Sequence, residues 1–388
     1  MLLADIPPAL AEASNGRFIF LLGLIGFGVK AGLIPLYFWL PLAHPAAPAP
    51  ASAVLSGAMI KAGLVGWMHL APVGLVEWTS LSLLMVSLGF GAVFGAAIYG
   101  LTQVEPKTNL AYSSISQMGV MTALLGIGLY GDIPAGFLLP AIALYAFNHG
   151  TAKALLFMGT ALPGKVGGSW RILIWVGLGL GALSIAGGPL TGGLWTKNLV
   201  KSFLGETSLP EAQTFLLLLK LSAITTTLLL VRFLHLLHRV KAPSGNVAPP
   251  FLLPWVLLLL AGGWWTMSPA LLPRELLTHI LGEKGMMAFF LNVQTNWASL
   301  WPIILGVVMM VLTLKSASLK WWPTEKPLLP PGDLIHIILL AVAMVAKPFR
   351  KGISLLASGI QSVPGPEKIF YRISDSKRIS QISAAAES

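Results

Sequence analysis

Across 388 residues, 55% are hydrophobic and only 10% are charged, with a mean hydropathy of +0.79, which excludes a soluble domain with a wetted surface and defines a polytopic membrane protein. The net charge of +11 is spread over single Lys and Arg residues in short loops, within helices and in the C-terminal tail, a pattern that topology and anionic lipid explain and nucleic-acid binding does not. Because the sequence contains no cysteine, this chain can build neither a disulfide framework, nor a thiolate zinc site, nor an iron–sulfur cluster.

The start, Met1-Leu-Leu-Ala-Asp5, lacks the basic region of a signal peptide, so the first apolar segment is read as a retained helix. Apolar runs between turn-forming or charged breaks predict membrane helices near 17–40, 51–73, 77–101, 109–130, 134–162, 171–205, 212–238, 251–271 and 298–315, with a tenth near 333–350. The expected fold is therefore an all-α polytopic membrane protein of nine or ten crossings. Two of the runs are interrupted. The run 171–205 is too long for one straight crossing and contains Gly187-Gly188-Pro189-Leu-Thr-Gly192-Gly193, and the run 17–40 contains Pro35. Broken helices at membrane depth are tolerated where they line protein or a hydrated cavity, and paired breaks point to an ion site.

With the N-terminus outside, the loops expected inside hold Lys107, Lys165, Arg171, Arg239, Lys241, Lys320 and Lys326. Those expected outside hold Arg274 and Lys284, with Arg17 flanking the N-terminus, so the positive-inside rule supports this orientation. The basic tail from Lys347 to Arg378 ends up outside if 333–350 crosses, so either that segment lies in the interface or the tail is an exception.

All 14 acidic residues fall in loops, termini or helix ends, which argues against carboxylate-pair catalysis. Lys30, Lys61, His149, Lys153, Lys197, Lys201 and Lys220 instead lie within or beside apolar helices. An amine at the bilayer centre costs about 2.5–3.5 kcal/mol on insertion scales, and burial disfavours its charged form, so such lysines suit proton transfer. His149 and Lys153 are four apart and share a helix face, the spacing of a two-member relay. The alternative role for a membrane lysine is to snorkel to the headgroups, and this fits Lys201 and Lys220 best, since they sit closer to helix ends. Arg232, His235, His238 and Arg239 read as interfacial anchors, with His235 also a candidate at a proton mouth. His44, in a Pro-rich stretch, reads as a residue that orders a loop. No His, Asp and Glu set has metal-ligand spacing, and the Gly-rich stretches lack the strand-then-helix context of a phosphate loop.

Five ordered blocks over residues 24–200 carry a family resemblance. They are Lys30-Ala-Gly-Leu-Ile-Pro35 through Trp39-Leu-Pro41-Leu-Ala-His44-Pro-Ala-Ala-Pro48, Ser52 through Lys61-Ala-Gly63, Lys107-Thr-Asn-Leu-Ala-Tyr-Ser-Ser-Ile-Ser-Gln117, His149-Gly-Thr-Ala-Lys153 and Pro189 through Lys197. The pattern resembles the antiporter-like membrane subunits of respiratory complex I, membrane-bound hydrogenases, formate hydrogenlyase and Mrp-type cation/proton antiporters. That resemblance implies inverted repeats, each with a broken helix, around a hydrophilic axis at the membrane midplane. On it, Lys30 and Lys61 match central lysines of a first half-channel, His149 and Lys153 a connecting relay, and Lys197 the terminal proton carrier. It divides the chain into the last helices of a first repeat (1–73), a complete second five-helix repeat (74–240), C-terminal helices (241–350) and a basic tail (351–388). Two departures are evident. The family's helices that precede Lys30, one bearing a glutamate that partners this lysine, are missing, so a neighbouring subunit is expected to supply them. Tyr145 also stands where close relatives often have a second histidine.

The function so implied is proton translocation within a membrane-bound redox complex, in the plasma membrane of a prokaryote. No cofactor is expected on this chain, and electron transfer is assigned to partner subunits. The rival expectations are a cation/proton antiporter or ion-uptake module without redox partners, and a scaffold subunit that conducts nothing.

Overall fold

Helix ends follow the local chemistry of the sequence. The computed structural model describes residues 2–131, 134–163, 166, 169–206, 211–240, 252–267, 292–315 and 326–332. After a short opening helix, α1 (Ile6–Glu12), come α2 (Gly16–Ala31), α3 (Trp39–Ala46), α4 (Ala49–Val54), α5 (Ile60–Leu70), α6 (Thr79–Leu101) and α7 (Pro106–Gly128). They are followed by α8 (Ala135–Gly159), α9 (Trp170–Ala186), α10 (Gly192–Glu206), α11 (Ala212–His238), α12 (Leu252–Met267) and α13 (Val293–Lys315). No strand occurs among the described residues. Met1–Pro331 forms one packed unit, and the repeat boundaries expected at 73/74 and 240/241 fall inside it. The segment 333–350 and the tail 351–388 lie outside the described residues, as do Lys165, Lys241, Arg274, Lys284 and Lys320 of the topology argument.

Among the described residues, six helical stretches are long and apolar enough to cross a membrane: Gly16–Ala46, Ala49–Leu70, Thr79–Leu101, Pro106–Gly128, Ala212–His238 and Val293–Lys315. Apolar side chains on α2, including Phe18, Leu22, Ile25 and Val29, face outward from this chain, as lipid or neighbouring helices require. At the other extreme, α7 is buried at every position from Thr108 to Gly128 and packs against α3, α6, α8 and α11. Polar residues on so central a helix must find protein or water partners, because lipid offers none.

Both expected breaks are present. α2 stops at Gly32, whose φ of 75° is the left-handed cap that glycine adopts without steric cost, and a 3₁₀ turn over Leu36–Phe38 leads into α3. α9 stops at Gly187 with φ 83°, Pro189 cannot continue the helix, and α10 begins at Gly192. Between α4 and α5, which the sequence reading merged into one run, the chain makes a π turn over Leu55–Met59. Composition gave no sign of it.

Other boundaries moved for identifiable reasons. α7 starts at Pro106 rather than near 109, because the Glu105 carboxylate caps it by accepting from the Thr108 amide and hydroxyl, while Pro106 occupies the first turn. Lys107 therefore belongs to a helix, not to a loop. α13 starts at Val293 rather than 298, where the Asn292 side chain accepts from the Thr295 amide at 3.0 Å.

Candidate functional site

The π turn sets the first amine. Lys61, only 9% exposed, donates back to the carbonyl of Ser56, a group that this widened stretch of helix leaves within reach. The Ser56 hydroxyl lies 2.7 Å from that of Ser114 on α7. Ser114 spends its single proton on the Leu110 carbonyl at 3.2 Å, so it accepts from Ser56. Lys153 of α8, fully buried, donates to the same Leu110 carbonyl at 2.8 Å and to the Ser113 hydroxyl. Lys61 and Lys153 thereby reach the same polar patch on α7, the step from the Ser56 carbonyl to the Ser56 hydroxyl being covalent and not a hydrogen bond. Close approach makes this possible: a Cβ on Gly150 would stand 2.6 Å from the Gly57 carbonyl, so only glycine lets α8 and the π turn meet here.

His149 is 2% exposed, and neither ring nitrogen has a hydrogen-bond partner among the described residues. The charges that reach it are those of Lys61, Lys153 and Lys197. A buried imidazole with both nitrogens free of protein partners is a place for water. One turn earlier, Tyr145 donates to the Gln117 side chain at 2.7 Å, and Gln117 donates to the Thr226 hydroxyl at 2.8 Å, linking α8, α7 and α11. Beside His149, Asn148 accepts from Ser184 of α9 at 3.0 Å, which fastens the second broken helix to α8.

Across that break, Lys197 of α10 reaches back and donates to the Ala186 carbonyl at 2.9 Å. This carbonyl ends α9, where the helix dipole favours a cation. The next amines, Lys201 and Lys220, lie with Lys197, Asn198, Ser299 and Pro302 around a cavity of about 20 Å³, room for about one water. Lys197 and Lys201 are half-buried and Lys220 is exposed, so the amines lead from the interior to the exterior. Among the described residues, the hydrogen bonds of Lys61, Lys153 and Lys197 go to carbonyls and a hydroxyl, and none to a carboxylate.

Several expectations need correction. Lys30 does not join the buried amines: it is exposed in the last turn of α2. His235 needs none: it lies half-buried in the last turn of α11 beside Arg232, His238 and Arg239, a position compatible with an anchor or a mouth. His44 lies not in a loop but in α3, and is wholly buried. The serines and Gln117 join the site without having been expected there, and their signal in the sequence is the polar run Ser113-Ser114-Ile-Ser116-Gln117 inside an apolar helix.

A helical bundle with two broken helices is the arrangement in which many membrane transporters place their ion sites. Residues 3–225 match the family described as NADH:quinone oxidoreductase/Mrp antiporter, TM, and the chain belongs to that family. It is 36% identical over 165 residues to hydrogenase-4 component B of Escherichia coli (strain K12), covering 40% of this chain and 24% of that protein. It is 29% identical over 260 residues to NADH-ubiquinone oxidoreductase chain 5 of Podospora anserina, covering 62% and 37%. Among solved structures, the Mrp complex from Dietzia sp. DQ12-45-1b aligns over 98% of this chain and 42% of its own, with a TM-score of 0.67 and 21% identity. The chain thus spans about a quarter to two fifths of the length of these curated relatives.

Proposed function

We propose that this chain moves protons across a membrane as the antiporter-like subunit of a larger complex. The path runs along Lys61, Lys153, His149 and Lys197, with Lys201 and Lys220 leading outward. The polar patch on α7 that Lys61 reaches through Ser56 and Ser114, and Lys153 through the Leu110 carbonyl, carries this reading. Each amine held in hydrocarbon costs about 2.5–3.5 kcal/mol, so a row of them is better explained by use than by packing. Tyr145 and Gln117 hold the walls of the path beside His149.

The driving reaction resides in partner subunits of the kinds that the relatives belong to, embedded with this chain in a prokaryotic plasma membrane. One partner covers the exposed face of α2 and brings a carboxylate to Lys30. Lys153→Ala in the assembled complex, reconstituted in vesicles, is expected to abolish proton flux; flux per complex at the wild-type level defeats the relay and favours a scaffold role.

A second reading, cation/proton exchange without redox chemistry, draws support from the fold match to the Mrp complex over 98% of this chain. Proton flux that requires a sodium gradient and no electron donor would select it.

A further inference from the structure

We infer that the second broken helix carries a binding site for a small uncharged alcohol or phenol dissolved in the membrane, which seats its hydroxyl on Asn148 and its apolar body between α8, α9 and α12. The site uses none of the titratable groups of the proton path, and only its effect on flux rests on the relay reading.

A cavity of about 130 Å³ lies between α8, α9, the break after α9 and α12. Its end nearest the break is polar, with Asn148, Ser184, Thr191 and Thr266. One to two turns further along the same three helices its walls are apolar, at Leu155, Gly181 and Leu259. Among the described residues no charged side chain lines it, so an ionised ligand would lie there uncompensated. An apolar cavity of about 150 Å³ holds benzene, which puts this one close to the size of a single six-membered ring. Water is the rival occupant, but the apolar part of the cavity offers it few of the two to four partners it needs.

The hydrogen bonds at the polar end define the head of the ligand. Ser184 donates its proton to the Asn148 side-chain oxygen at 3.0 Å, and Thr191 donates to the Gly188 carbonyl at 2.6 Å. Thr151, also on the wall, donates to the Asn148 carbonyl at 3.0 Å, and Thr266 donates to the Gly262 carbonyl at 2.9 Å. A hydroxyl has one proton, so all four can now only accept. Asn148 is 6% exposed, and its NH2 group has no partner among the described residues. A buried donor left unpaired costs about 1–3 kcal/mol. One free amide donor among hydroxyl lone pairs is the complement of a hydroxyl group, which accepts one hydrogen bond and donates another.

The same end ties the break to its neighbours. A Cβ on Gly192 would stand 2.5 Å from the Asn148 side-chain oxygen, and the Gly192 amide donates to the Thr266 hydroxyl at 3.0 Å. A ligand held by Asn148 therefore bears on α8, α9, α10 and α12 together. At the rim, Leu180 and Leu190 are 47% and 58% exposed, so an apolar molecule can enter from the side of the chain. Leu190 has φ 58°, a left-handed conformation that costs a non-glycine residue roughly 1–2 kcal/mol and that gathers at ligand clamps.

The test uses the whole complex in detergent and two labelled probes of similar size, benzyl alcohol and toluene, in equilibrium dialysis. Benzyl alcohol is expected to bind saturably and roughly three to ten times more tightly than toluene, the gain of one hydrogen bond. Gly262→Leu fills the cavity from a position where a Cβ meets nothing within 4 Å, and is expected to abolish saturable binding of both. Asn148→Leu keeps the volume and is expected to lower the affinity for benzyl alcohol to that for toluene. Equal affinity of the two probes for the wild type overturns the site and leaves a groove for acyl chains. Uptake that does not saturate, or that Gly262→Leu leaves unaltered, overturns it as probe dissolved in the detergent. These two results decide even where Asn148→Leu fails to assemble. In vesicles, saturating benzyl alcohol is expected to lower proton flux severalfold in the wild type and to have less effect in Gly262→Leu. Flux unmoved by bound probe overturns control of the break, whereas absence of flux in the probe-free wild type overturns the relay and leaves the binding result standing.

Discussion

The two broken helices are built on one plan and finished with different side chains. In each, glycine in the left-handed conformation ends the first half, at Gly32 and Gly187. In each, a side chain from the second half reaches back about ten residues to a carbonyl in the last turn of the first half. At the first break that side chain is Trp39, whose indole donates to the Val29 carbonyl at 2.7 Å. At the second it is Lys197, whose amine donates to the Ala186 carbonyl at 2.9 Å. An indole N–H closes the break but has no titration to offer, whereas an amine closes it and can exchange a proton. The difference teaches that a break is a structural device, and that the residue clasping it decides whether it also conducts.

The sharpest test removes each clasp in turn. Lys197→Met is expected to cut proton flux roughly a hundredfold or more in the assembled complex, the scale on which proton-transfer groups act. Trp39→Phe is expected to leave flux unchanged while costing about 1 kcal/mol of stability for the lost hydrogen bond. Loss of flux in Trp39→Phe would break the comparison.

A smaller effect is expected from the caps. Gly187→Ala forces a non-glycine residue to φ 83° and places its Cβ 2.6 Å from the Lys197 Cδ, so the amine must move. Thermal denaturation should register about 1–2 kcal/mol for the backbone, with a fall in flux beside it. Gly32→Ala carries a similar backbone cost, but its Cβ would meet nothing nearer than 3.8 Å, so flux per folded complex should hold.

Ser114→Ala interrupts the link between Lys61 and Lys153 without removing an amine, and a flux reduction of roughly fivefold is expected, since water can take the missing hydroxyl's place. Flux equal to wild type would mean that the two lysines communicate by another route. The smallest effect belongs to Lys30→Ala. Because this side chain is exposed, the chain's own thermal stability is expected to change by no more than about 0.5 kcal/mol, and a larger loss would place Lys30 in a contact within the chain.

Legibility differed by the range of the interaction. Helices such as 212–238 were placed to the residue, because an apolar run bounded by Pro210 and Arg239 states its own limits. Both breaks could be read from Gly and Pro, and the pairing of His149 with Lys153 follows from helical spacing alone. The π turn at Leu55–Met59 could not, since no residue in Leu-Ser-Gly-Ala-Met is reserved for that geometry. Lys30 and Lys61 looked alike in sequence, each a lone lysine in an apolar run, yet one is exposed and the other buried.

By itself, the sequence determined that the chain is helical, lies in a membrane, is interrupted twice and carries amines at depth, because hydropathy, helical period and backbone chemistry are local properties. Tertiary structure alone decided which amines meet. Ser56 and Ser114 are 58 positions apart, Lys153 and Leu110 are 43 apart, and His44 and Phe157 sit on different helices. Such partners are set by how closely glycine-lined helices pack, and nothing in a linear string encodes that distance directly.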